Sequence, residues 1–300
     1  CAAGGLTGWN GGTVYLGEMY ASLGSQQTGY SYLGGVAGIN ANLIQDASPV
    51  DGSTVRGSQN IGGVAGANLA GATVAFTTNA TPAATVNADS NAGGVAGVNA
   101  GTIALSNAKV NYTVAASQSA GGIAGSNITL DSDKIGTITG GYPTGSVTAT
   151  LYAGGAAGTN SGKIANVENH AAVRANDKLA GGIAGRNAAG GLITVCRHTA
   201  GEVYATNGEA GGMAGGNAQN ARIEDCIVTN GVAITAANGA AGGMTATNAG
   251  TIHGGTLENC TVSFTADSVG AAVTYNNDTG VIEALTLAEN AGVTLKGPAT

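Results

Sequence analysis

The chain has 300 residues, of which 54 are Gly, 9% are charged and 4% aromatic, and its formal net charge is −7. So acidic a balance argues against nucleic acid and anionic membrane as electrostatic partners, and no apolar run reaches the length of a membrane span. Disorder is disfavoured because the apolar residues recur in register, and collagen is excluded because Gly does not recur every third residue.

From the N-terminus, Cys1 is followed almost at once by the phrase Gly4-Gly-Leu-Thr-Gly-Trp-Asn10. The phrase returns at Gly34, Gly62, Gly93, Gly121, Gly154, Gly181, Gly211 and Gly242, and in worn form at Gly270, in steps of 27 to 33 residues. A period of that size marks a solenoid or another repeat array. A mature lipoprotein also begins with Cys, but no polar tether separates Cys1 from the first repeat, so residues 1–300 read as one repeat domain cut from a longer chain.

Each position of the phrase has a physical reading. The third residue (Leu6, Val36, Val64, Val95, Ile123, Ala156, Ile183, Met213, Met244, Ala272) is a buriable column. By strand alternation the fourth, Ala from Ala37 to Ala214, is expected to point outward, as a flat apolar strip suited to lateral packing. The sixth mixes Trp9, Ile39, Arg186 and Tyr275 and is expected outside. The seventh is Asn in every copy: Asn10, Asn40, Asn68, Asn99, Asn127, Asn160, Asn187, Asn217, Asn248 and Asn276. Asn tolerates turn backbone, and identical amides stacked at the strand spacing can hydrogen-bond one to the next. A structural Asn ladder at a corner is the expectation, over a row of ligand-binding amides. The glycines permit bends and close backbone approach; no helix pattern follows them, as a phosphate-binding loop would need.

Between one Asn and the next Gly-Gly come a Gly-Thr-Ile word, as at Gly101–Ile103, and a segment of period two, as at Val110–Val114. Each unit thus offers about three short strands. The fold class that follows is all-β, a right-handed three-sided parallel β-helix (β-solenoid) of about ten coils of about 30 residues.

Aligning the period-two segments from Val74, Val110, Val147, Val173, Val203, Val232 and Val262 puts Thr77, Thr113, Thr150, Asn176, Thr206, Thr235 and Thr265 three places on, an expected outward Thr column. Cys196, Cys226 and Cys260 each lie three residues after an aliphatic position and are expected to stack in successive coils. A rung spacing of about 4.8 Å is a little wide for the Cβ separation of about 3.8 Å in a relaxed disulfide, so they read as buried core thiols. No Cys-x-x-Cys or His-rich spacing accompanies them, and Asp131 and Asp133 alone supply too few oxygens for calcium, so neither metal nor cofactor is expected. Glu224, Glu258 and Glu283 each follow an aliphatic strand residue and would suit a retaining glycosidase if adjacent pairs stacked at about 5 Å. The last residues, 288–300, read as one more strand or a tail.

The repeated Gly-Gly-aliphatic-Ala-Gly-x-Asn, followed by Gly-Thr-Ile, resembles the GLUG-motif repeats of bacterial surface proteins over residues 4–276. The resemblance implies an extracellular β-solenoid at the bacterial cell surface, found in adhesins and as accessory repeats of IgA-cleaving metallopeptidases. The peptidase chemistry does not carry over, because His170, His198 and His253 stand in no His-Glu-x-x-His setting. The expected function is a non-enzymatic structural or adhesive stalk, self-associating laterally or end to end into fibres, or binding a host or cell-surface glycan or protein. A polysaccharide-cleaving enzyme and an ice-binding face are the alternatives.

Overall fold

Short apolar words separated by Gly and Asn can close only short strands, and the fold is made of them. The computed structural model describes residues 1–15, 17–24, 31–77, 80–265, 269–276, 279–287 and 293–296. Among these there is no helix, so none long and apolar enough to cross a membrane. The strands are two to eight residues long. Apart from the antiparallel hairpin of Thr129–Asp131 with Lys134–Ile135, they stack in parallel ladders, the architecture of a β-solenoid of about 30 residues per turn.

Four ladders of ten strands each run the length of the chain. A glycine ladder, from Ala2–Gly4 to Val269–Ala271, leads into the Gly-Gly step. After the bend comes an asparagine ladder, from Thr7–Asn10 to Thr274–Asn276. An isoleucine ladder runs from Thr13–Tyr15 to Val281–Glu283, and a valine ladder from Ser22–Leu23 to Thr294–Lys296. Between the last two, a short ladder joins Glu168–Asn169, Arg197–His198, Ile227–Val228, Thr256–Leu257 and Thr286–Leu287. The turn therefore carries more strands than the three expected, because the residues ahead of Gly-Gly pair as a ladder of their own. At about 4.8 Å per rung, the nine steps between ten rungs span about 43 Å. Of the last residues, Thr294–Lys296 extend the valine ladder, while 288–292 and 297–300 lie outside the described residues.

The core is filled by the inward residues of the ladders together with the aliphatic residue at the bend. Around Ile103 these are Val95, Val114 and Ala92, all at most 1% exposed. The third residue of the phrase is buried from Val36 to Met244. In the tenth copy Val273, not Ala272, accepts the Met244 amide, because that copy is displaced by one residue: Gly242 pairs with Ala271.

The fourth position overturns the outward strip. Ala37, Ala65, Ala96, Ala124, Ala157, Ala184 and Ala214 are all fully buried. Strand alternation fails because the chain bends there: the amides of Val64 and Ala65 both donate to the Val95 carbonyl, and the same pair of bonds recurs on each rung. The bend folds the asparagine ladder onto the glycine ladder. A Cβ on Gly181 would lie 1.9 Å from the Ala184 oxygen and 2.8 Å from the Ala214 Cα, so only Gly fits. Of the sixth column, Trp9, Arg186 and Tyr275 are exposed while Ala67 is buried.

A second corner follows the isoleucine ladder, where Asp46, Ser106, Asn166, Val195 and Asp225 have φ between 45° and 56°. A β-branched residue in that region is unusual, and Val195 tolerates it with its side chain in solvent.

Gly181→Ala is expected to lower stability by about 3 kcal/mol, the upper range for forcing atoms into a packed interior. Gly12→Ala, where an added Cβ meets nothing within 4 Å, should change it little. Urea unfolding of the two variants measures the difference.

Candidate functional site

The asparagine ladder ends on each rung in a buried primary amide, at most 5% exposed from Asn10 to Asn248. Each Nδ2 donates to the Oδ1 of the next rung, through Asn10, Asn40, Asn68, Asn99, Asn127, Asn160, Asn187, Asn217 and Asn248, over 2.7 to 2.9 Å. Its second hydrogen goes to a main-chain carbonyl at the start of the next rung's isoleucine strand, such as Thr102 for Asn68 and Lys163 for Asn127. With donors and acceptors engaged and no exposed face, this amide chain has little to offer a ligand. Asn276 departs from it: its backbone pairs with Thr247, one residue short of the column, and the next residue in register lies outside the described residues.

The cysteines divide. Cys226 follows Cys196 at the same corner of the next rung, as the pairing of Arg197 with Ile227 fixes. The position after Cys226 is taken by Gly255, because Thr256 pairs with Ile227. Cys260 instead enters the valine ladder in register with Val232. The error came from taking Leu257 for the ladder residue; Ile252 is the one that pairs with Ile223. All four cysteines are free, and only Cys1 is exposed.

The Thr column is likewise spread over several positions. Val74 belongs to the isoleucine ladder, so Thr77 lies at its end, where its amide and hydroxyl donate to the Asp46 carboxylate at 2.8 and 2.6 Å. Thr113 pairs with Thr85 and Ser146, and Thr235 with Tyr204 and Ser263. Thr150, Thr206 and Thr265 fall one place beyond the valine strands, with Asn176 and Ala237 between them. Period two looks alike in either of two registers, and loop-length differences hid the slip. A genuine hydroxyl file exists elsewhere on that face, Ser22, Thr54, Thr85, Thr113 and Ser146 on consecutive rungs.

The three glutamates do not meet. Glu224 pairs with His253, which pairs with Glu283, so the two residues stand two rungs apart, about 9.6 Å of axial rise, whereas a retaining pair needs its carboxyl groups about 5 Å apart. Glu258 follows the short ladder. Arg222, ion-paired with Glu224, lines a shallow cavity of about 400 Å³ together with Glu224, His253 and Glu283. Asp131 and Asp133 lie in a hairpin of Thr129–Asp131 with Lys134–Ile135, where Lys134 pairs with Asp131 at 3.1 Å. Among the described residues no group of three or more His, Cys, Asp or Glu is placed to hold a metal.

Three features had escaped the sequence reading. His198 of the short ladder is fully buried, its Nδ1 3.1 Å from the Gly212 carbonyl. Burial drives its pKa down to about 4, so the ring is neutral and Nδ1–H donates. Glu209, at the entry to the glycine ladder, accepts from Thr247 at 3.0 Å, and partial burial raises its pKa. Finally Asn60, Asn91, Ser126 and Thr159 form a second, outer hydrogen-bonded string across the bend. Only the polar residues preceding Gly-Gly hinted at the last two. Nothing in a two-residue strand marked His198.

Asn127→Ala removes the acceptor of the buried Asn99 amide and one of the two donors to the Asn160 Oδ1, which keeps the Gly162 amide, and is expected to cost about 3 kcal/mol, read from the urea midpoint. His198 predicts a pH slope. Its folded pKa lies below the unfolded value near 6.5, so its contribution is complete above pH 6.5 and is lost as pH falls toward about 4, a difference of about 3 kcal/mol. His198→Asn, the residue type of Asn169 one rung earlier, should flatten that slope between pH 7 and 5.

Comparison with known protein families, with curated proteins and with solved structures returned no match for this chain.

Proposed function

We propose that the chain is the rigid shaft of an extracellular bacterial surface protein, a non-enzymatic spacer with an adhesive outer surface. The observation that carries this reading is continuity: four parallel ladders and a buried amide chain run through successive rungs without a break. A shaft needs resistance along its axis, and main-chain ladders closed by cooperative amide bonds supply it. The outer surface changes residue type from rung to rung, which suits contact with a varied glycan or protein surface better than one repeated ligand. The resemblance of the Gly-Gly-aliphatic-Ala-Gly-x-Asn phrase to GLUG repeats supports the placement at the cell surface.

The alternatives lose the features that suggested them. Lateral fibre packing through the Ala strip has no strip, since those residues are in the core. Polysaccharide cleavage through Glu224, Glu258 and Glu283 lacks its close pair. The hydroxyl file that an ice-binding face would use is interrupted beyond Ser146 by Ala172, Glu202 and Ala233.

Antibodies raised against the purified chain are expected to label intact, unpermeabilised cells of the source bacterium, and beads coated with the chain to adhere to host cells or extracellular glycans. Labelling only after permeabilisation would overturn the surface placement. New reducing ends released from polysaccharide by the intact protein would overturn the non-enzymatic reading.

A further inference from the structure

Of the four cysteines, one pair is brought together. Cys196 and Cys226 occupy one corner on consecutive rungs, and the Ile227 amide donates to the Cys196 carbonyl at 3.0 Å. Each follows a residue in left-handed conformation, Val195 at φ 52° and Asp225 at φ 51°. Each Sγ donates to the carbonyl two residues back, Thr194 for Cys196 at 3.4 Å and Glu224 for Cys226 at 3.2 Å, so the two side chains adopt the same orientation. The Cys226 thiol rests against that of Cys196, and this contact together with burial holds it well above the usual thiol range. The rung rise sets the Cα atoms about 4.8 Å apart, inside the range of about 4.4 to 6.8 Å found in disulfides. The Cβ atoms need to close by about an ångström, which a corner concedes more readily than the middle of a strand. Val167 precedes the pair in the column and Gly255 follows it, so no third thiol competes.

We propose that Cys196 and Cys226 are an oxidation site, closed into a disulfide that staples two adjacent rungs as the solenoid assembles. Both thiols are fully buried in the finished fold, so the bond forms before the rungs pack. The co-reactant is a low-molecular-weight disulfide. One cysteine thiolate attacks it and expels a small thiol; the second thiolate then displaces the other small thiol from the mixed disulfide. Two protein thiols and one small disulfide thus give one protein disulfide and two small thiols. The bond closes a loop of a single rung and prevents that rung from peeling away from the next, which is where a shaft under tension would open. The oxidising setting rests on the extracellular placement proposed above. The test supplies its own oxidant, so it stands or fails separately from that placement.

The full chain carrying Cys1→Ser, which removes the exposed thiol, is denatured, reduced and refolded in a glutathione redox buffer, then alkylated under denaturing conditions and mapped by peptide mass. The expected result is a cross-link between Cys196 and Cys226, one alkylated thiol at Cys260, an unchanged β-sheet circular dichroism spectrum and a melting temperature several degrees above that of the reduced protein. Cys226→Ser abolishes the cross-link and Cys260→Ser retains it. Three alkylated thiols after refolding, a cross-link that includes Cys260, or a cross-linked product without the β-sheet spectrum would each overturn the proposal.

Discussion

A primary amide buried in an apolar core is tolerated only when its hydrogens and oxygen are satisfied, and the amide chain from Asn10 to Asn248 is satisfied by its own repetition. Each Asn supplies what the next requires at the spacing that parallel strands impose. This makes register the central constraint. A rung displaced by one residue would leave a donor on one side and an acceptor on the other without partners, and would turn the Val ladder inside out. The bonds also point one way along the axis, so their dipoles align and strengthen one another.

The glycines act with the amides. The glycine and asparagine ladders approach so closely at the bend that main-chain oxygens occupy the volume a Cβ would need on Gly93, Gly121 or Gly181. Their requirement is steric, since these residues do not have positive φ. Gly-Gly before the bend and Asn after it fix the geometry of one corner. The remainder of the rung can then vary in length, which is why steps of 27 and 33 residues coexist. The hairpin at Thr129–Ile135 shows what such an insertion becomes when it projects from the column.

Within this frame, irregular residues are informative. Tyr112, like Phe76, is a fully buried aromatic ring in a mainly aliphatic core, and it lies against Gly63 and Gly94, where a side chain would collide with it. His198 occupies a short-ladder position held by Asn169 before it and Val228 after it. Its buried neutral ring gives the middle of the solenoid a dependence on acid that its neighbours in that column do not share. Arg174 lies over the Tyr204 ring at 4.5 Å, in an outward file that runs from Thr148 to Thr235. The interior is thus nearly uniform and the surface is not, as expected if the interior serves rigidity and the exterior contact.

The sequence by itself determined the solenoid, its period and the column of amides, because those features are enforced on every rung and so are written into the chain at every repeat. It also placed Val36 to Met244 in the core. Which way the fourth residue faces was decided only by the tertiary structure, since a bend at Val36 and its equivalents overrides the alternation that an isolated strand would keep. The tertiary structure likewise decided the partners of Thr77, Cys260, Glu258 and Asn276. Each lies beyond a loop of variable length, and period-two sequence reads equally well one ladder or one residue away. Hydrogen bonding between rungs chooses among those registers, and that choice is a property of neighbouring coils rather than of the segment that carries the residue.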